Sequence, residues 1–150
     1  MSLLQWTPDL NTDIPVIDKQ HQRIVEYINQ LHHAQESSSR EEVGEVLNQL
    51  VDYTLSHFAF EEELMEESGY RFVNAHKKVH KLFVRRISGY VERFKTGEEI
   101  TDELLTSLKT WLVNHIKNDD DDYSEVVRER MGDEGKSGGW LSRSMKKIFG

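Results

Sequence analysis

Five histidines and one glutamate occupy positions where an amphipathic helix would carry apolar side chains. They are His21, His57, Glu61, His76, His80 and His115. His76 and His80 are one helical turn apart and would therefore share a helix face. The same spacing relates His57 to Glu61. Imidazole and carboxylate groups in such pairs are typical metal ligands, and neutral imidazole suits zinc, copper or iron.

The alternative interpretation is that these histidines are ordinary core residues. A single histidine on an apolar face usually has this role, and each spaced pair alone is only a moderate indication of a metal site. Together, five imidazoles and a carboxylate in one core would be very costly without a shared partner, and a metal centre supplies it. His32 lies roughly 16 Å along its helix from His21, so we interpret His32 as structural and His33 as exposed.

The number of ligands indicates two metal ions. Two six-coordinate ions offer about twelve positions. Five histidines, two bridging carboxylates and a bridging oxide or hydroxide fill about eleven of them, which leaves one position open. The count needs a second carboxylate besides Glu61, and the acidic run 119–122 after His115 is its expected source.

Four amphipathic helices are predicted to position these residues, because apolar side chains recur at helical spacing along most of the chain. The helices are predicted from about Asp18 to Glu36, from the capping box of Ser39 and Glu42 to Gly69, from near Phe72 to Gly97, and from a cap at Thr101 through Ile116. A further short helix is expected over residues 123–131. Short loops between long helices predict an all-α fold, an antiparallel up-down four-helix bundle.

The chain is predicted to divide into a bundle over residues 1–131 and a C-terminal tail over residues 132–150. The segment GDEGKSGG (132–139) has the composition of a flexible linker. The following WLSRSMKKIFG would form a short amphipathic helix with a basic face. Residues 140–149 could then bind a membrane surface or a partner protein, and the alternative is a tail that packs on its own bundle or stays disordered.

The composition argues against several classes of function. A net charge of −8 makes nucleic acid an unfavourable partner. The absence of cysteine removes disulfide and thiol chemistry. No apolar run approaches the roughly 20 residues of a membrane span, and the N-terminal residues do not resemble a signal peptide. The sequence therefore predicts a soluble cytoplasmic protein, with a monomer favoured.

Four motifs together resemble the hemerythrins in their single-domain bacterial form. They are IDKQH (17–21), HFAFEE (57–62), HKKVH (76–80) and HIKNDDDDY (115–123). The resemblance covers about residues 1–131 and implies two non-heme irons that bind O2 reversibly for carriage, storage or delivery. It implies His76, His80 and His115 on one iron, His21 and His57 on the other, and Glu61 and an aspartate across both. The iron with two histidines would keep the open position.

The acidic run offers two candidates for the bridging aspartate. In a regular helix Asp119 lies about 40° from His115 and Asp120 about 140°, so helix geometry favours Asp119. The family spacing favours Asp120. We choose Asp120, because a helix that widens or ends here would bring it within reach, and such π-type distortions often mark functional sites. Asp121 or Asp122 would then cap the short helix that follows.

Four apolar residues are candidates for an O2 pocket that keeps water and protons from the irons: Ile24, Phe58, Trp111 and Leu112. The alternative is that they are ordinary core residues. Two other functions compete with O2 binding: a di-iron enzyme (an oxidase, a peroxidase or a nitric oxide handler) and an oxygen or redox sensor that acts through a partner. A histidine-rich centre should stabilise high-valent iron less than a carboxylate-rich one, which favours O2 binding.

Overall fold

The computed structural model describes residues 4–37, 39–133 and 148–149, and within these ranges the chain contains helices and turns but no strand. A short 3-10 turn over Pro8–Leu10 precedes the main helices. They are α1 (Pro15–Ser37), α2 (Arg40–Glu67), α3 (Val73–Lys95), α4 (Thr101–Asn114), a π-helical segment (His115–Asp120) and α5 (Asp121–Asp133). The predicted all-α fold is confirmed.

Helices α1 to α4 form the four-helix bundle that the sequence predicts. α2 packs against α1 and α3, α4 packs against α1, and α5 returns to α2. Two apolar clusters fill the interior: a larger one that includes Ile28 and Leu104, and a smaller end cluster that includes Phe60 and Val127. The predicted histidine and glutamate ligands lie on these helices and at the start of the π segment, and they place buried polar groups among the apolar side chains.

The ends of the helices largely follow the local sequence. The Ser39 hydroxyl accepts a hydrogen bond from the Glu42 N–H at 3.3 Å, which confirms the predicted cap of α2. Gly69 and Gly97 have φ of 72° and 99°, the left-handed conformation that ends a helix at little cost for glycine. The predicted cap at Thr101 is wrong by one residue, because α4 begins at Thr101 itself and the residue before it makes no side-chain cap hydrogen bond.

The acidic run lies inside a continuous helix rather than at a helix end. α4 passes through the π segment into α5 without an interruption. Of the two possibilities predicted after His115, that the helix widens or that it ends, the structure shows widening, and the predicted cap at Asp121 or Asp122 is wrong, because no helix begins after a break there. The side chains of residues 118–122 lie outside the described part of the structure.

The described end of the tail packs on the bundle. Ile148 and Phe149 are half-buried against the end cluster. The Phe149 ring centre lies 5.6 Å from that of Tyr53 and 6.0 Å from that of Phe60. The predicted amphipathic face around residues 140–147 lies outside the described residues. Among the described helices, none is long and apolar enough to cross a membrane.

Candidate metal centre

The six histidine and glutamate side chains meet at one buried site, and none is more than 6% exposed. His21 comes from α1, His57 and Glu61 from α2, His76 and His80 from α3, and His115 from the first residue of the π segment. Their ligand atoms form two groups of four, each with all atoms within 4.8 Å of one another. One group is His21, His57, Glu61 and His115, and the other is Glu61, His76, His80 and His115. Two adjacent ions sharing Glu61 fit this arrangement.

Glu61 is the centre of the site. Its Oε1 lies 3.1 Å from His57 Nε2, 3.2 Å from His115 Nε2 and 3.4 Å from His80 Nε2. Its Oε2 accepts a hydrogen bond from the Tyr123 hydroxyl at 2.5 Å. The carboxylate therefore reaches histidines of both groups, which is the position required of a bridging ligand.

The electrostatics of the site call for positive charge beside Glu61. Burial alone would raise the pKa of this carboxyl, but the electrostatic attraction of the His57 and His115 imidazoles and their hydrogen bonds hold the pKa well below its ordinary value. Burial by itself would lower the pKa of His80. The hydrogen bonds to the carboxylates of Glu61 and Glu62 have the larger combined effect, so the pKa of His80 is raised. A buried carboxylate among imidazoles is a donor set that suits iron, whose positive charge would balance that of Glu61.

Two further side chains orient the histidines from outside. Gln20 Oε1 lies 2.7 Å from His57 Nδ1, and Glu62 Oε2 lies 3.0 Å from His80 Nδ1. When Nδ1 donates to these oxygens, Nε2 is left to face Glu61 and a metal. Neither residue was predicted from the sequence, although each adjoins a predicted ligand within one of the four motifs.

Replacing Gln20 with alanine is expected to weaken iron binding by about 10–100-fold, the usual effect of losing a partner that orients a metal ligand. The loss follows because His57 would no longer be held by the 2.7 Å hydrogen bond. The measurement is iron retention in competition with a chelator. Gln22→Ala, at an exposed position of the same helix, is the matched control. Equal iron affinity in the two variants would contradict the orienting role.

Two of the four predicted O2-pocket residues lie directly against ligand imidazoles. The Phe58 ring stacks on His80 with 3.9 Å between ring centres and 8° between planes. Trp111 stacks on His115 at 4.6 Å and 14°. Ile24 and Leu112, each 1% exposed, are buried in the larger apolar cluster that also contains Phe58. Phe58 and Trp111 thus form an aromatic wall of the metal site on the side of that cluster.

The remaining predicted residues lie apart from the site or have no described side chain. His32 is partly buried and its Nε2 lies 3.5 Å from Glu36, while His33 is exposed, as predicted for both. Asp120 is the last residue of the π segment that begins at His115. A π turn closes over five residues, which is the spacing between these two.

The profile of the hemerythrin HHE cation-binding domain matches residues 12–127. The chain belongs to the hemerythrin family. It is 56% identical over 153 residues to the bacteriohemerythrin of Pseudomonas aeruginosa strain LESB58, with all of both chains covered. It is 34% identical to the bacteriohemerythrin of Methylococcus capsulatus strain Bath, over 85% of this chain and 98% of that one. A crystal structure of wild-type hemerythrin matches with 32% identity and a TM-score of 0.79, over 83% of this chain and 98% of that one.

Membership of the hemerythrin family assigns the chemistry of the site. Hemerythrins bind O2 at a non-heme di-iron centre and are oxygen-binding proteins rather than enzymes, and this chain is one of them. Its two groups of histidine and glutamate side chains are able to hold the two irons. The enzymatic and sensory alternatives are not favoured.

Proposed function

We propose that this hemerythrin binds O2 reversibly at two irons held by seven side chains. His76, His80 and His115 bind one iron, His21 and His57 bind the other, and Glu61 and Asp120 bridge them. The observation that carries the assignment is the pair of buried ligand groups, which have Glu61 and His115 in common. The second of these groups contains all three histidines assigned to the first iron. For Asp120, support comes from the π backbone that begins at His115.

The chemistry that a di-iron pair supplies when bound is reversible two-electron reduction of O2. The protein side chains hold the pair and control what reaches it. Tyr123 fixes one oxygen of Glu61 by donating a hydrogen bond. Phe58 and Trp111 cover ligand imidazoles with apolar rings. With Ile24 and Leu112 they form an O2 pocket that excludes water, so that bound O2 leaves unchanged.

Metal analysis of the purified chain is expected to give two irons per chain, because the two ligand groups each provide one site. The reduced protein should then take up one O2 for each pair of irons. Zinc-loaded protein is the control, since zinc has no redox chemistry and should fold the bundle without binding O2. One iron per chain, or O2 binding by the zinc form, would contradict the proposal.

The tail is proposed to act separately from the iron site, with residues 140–149 binding a membrane surface or a partner protein. Support comes from the basic amphipathic sequence of this segment. The packing of Ile148 and Phe149 on the end cluster favours a tail that also docks on its own bundle.

The absence of a nucleic acid partner, the monomeric state and the cytoplasmic location remain predictions.

Deletion of residues 134–150 is expected to leave two irons and O2 binding intact, because no proposed ligand lies in this segment. Loss of the half-buried Ile148 and Phe149 should lower the free energy of unfolding by roughly 1–3 kcal/mol. Iron content, the O2 titration and chemical denaturation measure these effects. Sedimentation with anionic vesicles, compared between the full chain and the deletion, tests membrane binding. Loss of iron or of O2 binding in the deletion would refute the separation.

A further inference from the structure

A second apolar feature lies between α2 and α3, outside the metal site. It is a cavity of about 170 Å³ that opens to solvent on one side. Its walls are mainly leucine, valine and isoleucine side chains of the two helices, with Leu108 of α4 and the ring of Phe83. Leu55, 42% exposed, lies at its surface side together with the exposed Ser88 and Glu92. None of the proposed iron ligands or O2-pocket residues lines it.

The size and lining of the cavity define the kind of molecule that it can hold. An enclosed apolar cavity of about 150 Å³ takes up small apolar molecules such as xenon or benzene, and the inner part of this open cavity is lined mainly by the same kinds of side chain. A polar ligand would find few hydrogen-bond partners there, because the polar side chains of the lining are only Thr54, Ser88 and Glu92, and the last two lie at the surface side. The cavity therefore fits a small uncharged apolar molecule, and O2 is one.

Phe83 connects this cavity with the aromatic wall of the metal site. Its ring lines the cavity and stacks on Trp111 with 3.7 Å between ring centres and 15° between planes. It also meets Phe58 edge-on at 6.0 Å. Trp111 and Phe58 in turn stack on the imidazoles of His115 and His80. A molecule in the cavity is thus one ring away from the rings that cover the ligands.

We propose that the cavity between α2 and α3 is a holding site for O2, from which O2 passes Phe83 to the iron pocket. This inference rests on the proposed function, since it takes O2 to be the ligand of the irons. The site raises the local concentration of O2 next to the aromatic wall. No covalent or redox step occurs in it.

Xenon provides a direct probe of the holding site, because it is apolar, similar in size to O2 and inert towards iron. Methyl NMR spectra of the full iron-loaded chain are recorded at increasing xenon pressure. We expect saturable shifts for the methyl groups of Leu50, Ile87 and Leu108, which line the cavity. Leu31, in the same bundle but not in this lining, should not shift. Absence of saturable shifts at the cavity methyl groups would overturn the proposal.

Filling the cavity tests its part in O2 entry. Val84→Phe adds a ring to the α3 wall, whereas Leu82→Phe makes a matched addition at a position that is 63% exposed and lines no part of the cavity. We expect Val84→Phe to abolish the xenon shifts and slow O2 association several-fold, with iron content unchanged, and Leu82→Phe to change neither. Equal association rates in the two variants would overturn the route.

A replacement variant and the combination of the xenon and O2 results distinguish failure of the holding site from failure of the proposed function. If Val84→Phe does not fold, Val51→Phe fills the same cavity from α2, and the xenon result on the unsubstituted chain stands by itself. If the chain binds xenon in the cavity but never binds O2, the proposed function fails and with it the assignment of O2 as occupant. If O2 binds reversibly and xenon does not enter, the holding site alone is wrong.

Discussion

Asp120→Asn is expected to abolish the di-iron centre, whereas Asp119→Asn is expected to leave it intact. Neutralising a bridging carboxylate removes a charge and a ligand from both irons at once, so iron content should fall from two per chain to a small fraction. The π segment supports Asp120, because it begins at His115 and its wider turn brings the fifth residue after it back towards the face of that histidine.

The two aspartate variants control for each other, because each is isosteric and removes one charge from the same run. The measurement is iron content after reconstitution under anaerobic conditions, followed by the spectrum in air. Circular dichroism establishes that both variants remain helical. A centre lost in Asp119→Asn and retained in Asp120→Asn would show that regular helical spacing places the bridging ligand.

Leu112→Ala is expected to speed autoxidation on the order of tenfold, equivalent to about 1.4 kcal/mol of lost barrier, while iron content stays near two. Leu112 is 1% exposed and lies one turn before His115. Truncation would leave space for water beside the iron pocket, and water would supply the two protons with which O2, after taking two electrons from the irons, would leave as hydrogen peroxide. The substitution should also cost about 2–5 kcal/mol of stability.

Leu105→Ala separates solvent exclusion from simple loss of packing. Leu105 is a leucine of the same helix with 3% exposure, but it lies ten residues before His115. Its truncation should destabilise the bundle comparably and leave the autoxidation rate unchanged. Autoxidation followed by the decay of the oxy spectrum measures both variants. Equal rates would assign Leu112 to packing alone.

The bundle could be predicted from the sequence because its helices carry regular apolar stripes and end at residues with local preferences. Ser39, Gly69 and Gly97 act through hydrogen bonds and backbone angles within a few residues. The acidic run could not be predicted in the same way. Burial of Tyr123 and Val127, both 0% exposed, anchors α5 in the core. This tertiary packing outweighs the local tendency of four aspartates to interrupt a helix.

The histidines and Glu61 were identifiable because their spacing alone places them on inward faces. Gln20 and Glu62 were not, since their roles depend on distances to another helix, with Gln20 37 residues from His57 in sequence. The hydrogen bond from Tyr123 to Glu61 likewise joins residues 62 positions apart. Ligands spaced one turn apart on a helix can be predicted from the sequence. The residues that orient them by hydrogen bonds can be identified only when the packing of the helices is known.

The reversibility of O2 binding tests the account most directly, and an optical spectrum measures it. The iron-loaded chain is reduced without oxygen, exposed to air and then returned to an oxygen-free atmosphere. We expect the reduced protein to show little visible absorption, to gain an intense visible band in air with one O2 taken up for each pair of irons, and to lose that band again when O2 is removed. A single irreversible conversion to ferric protein with release of peroxide, or no spectral change in air, would contradict the account.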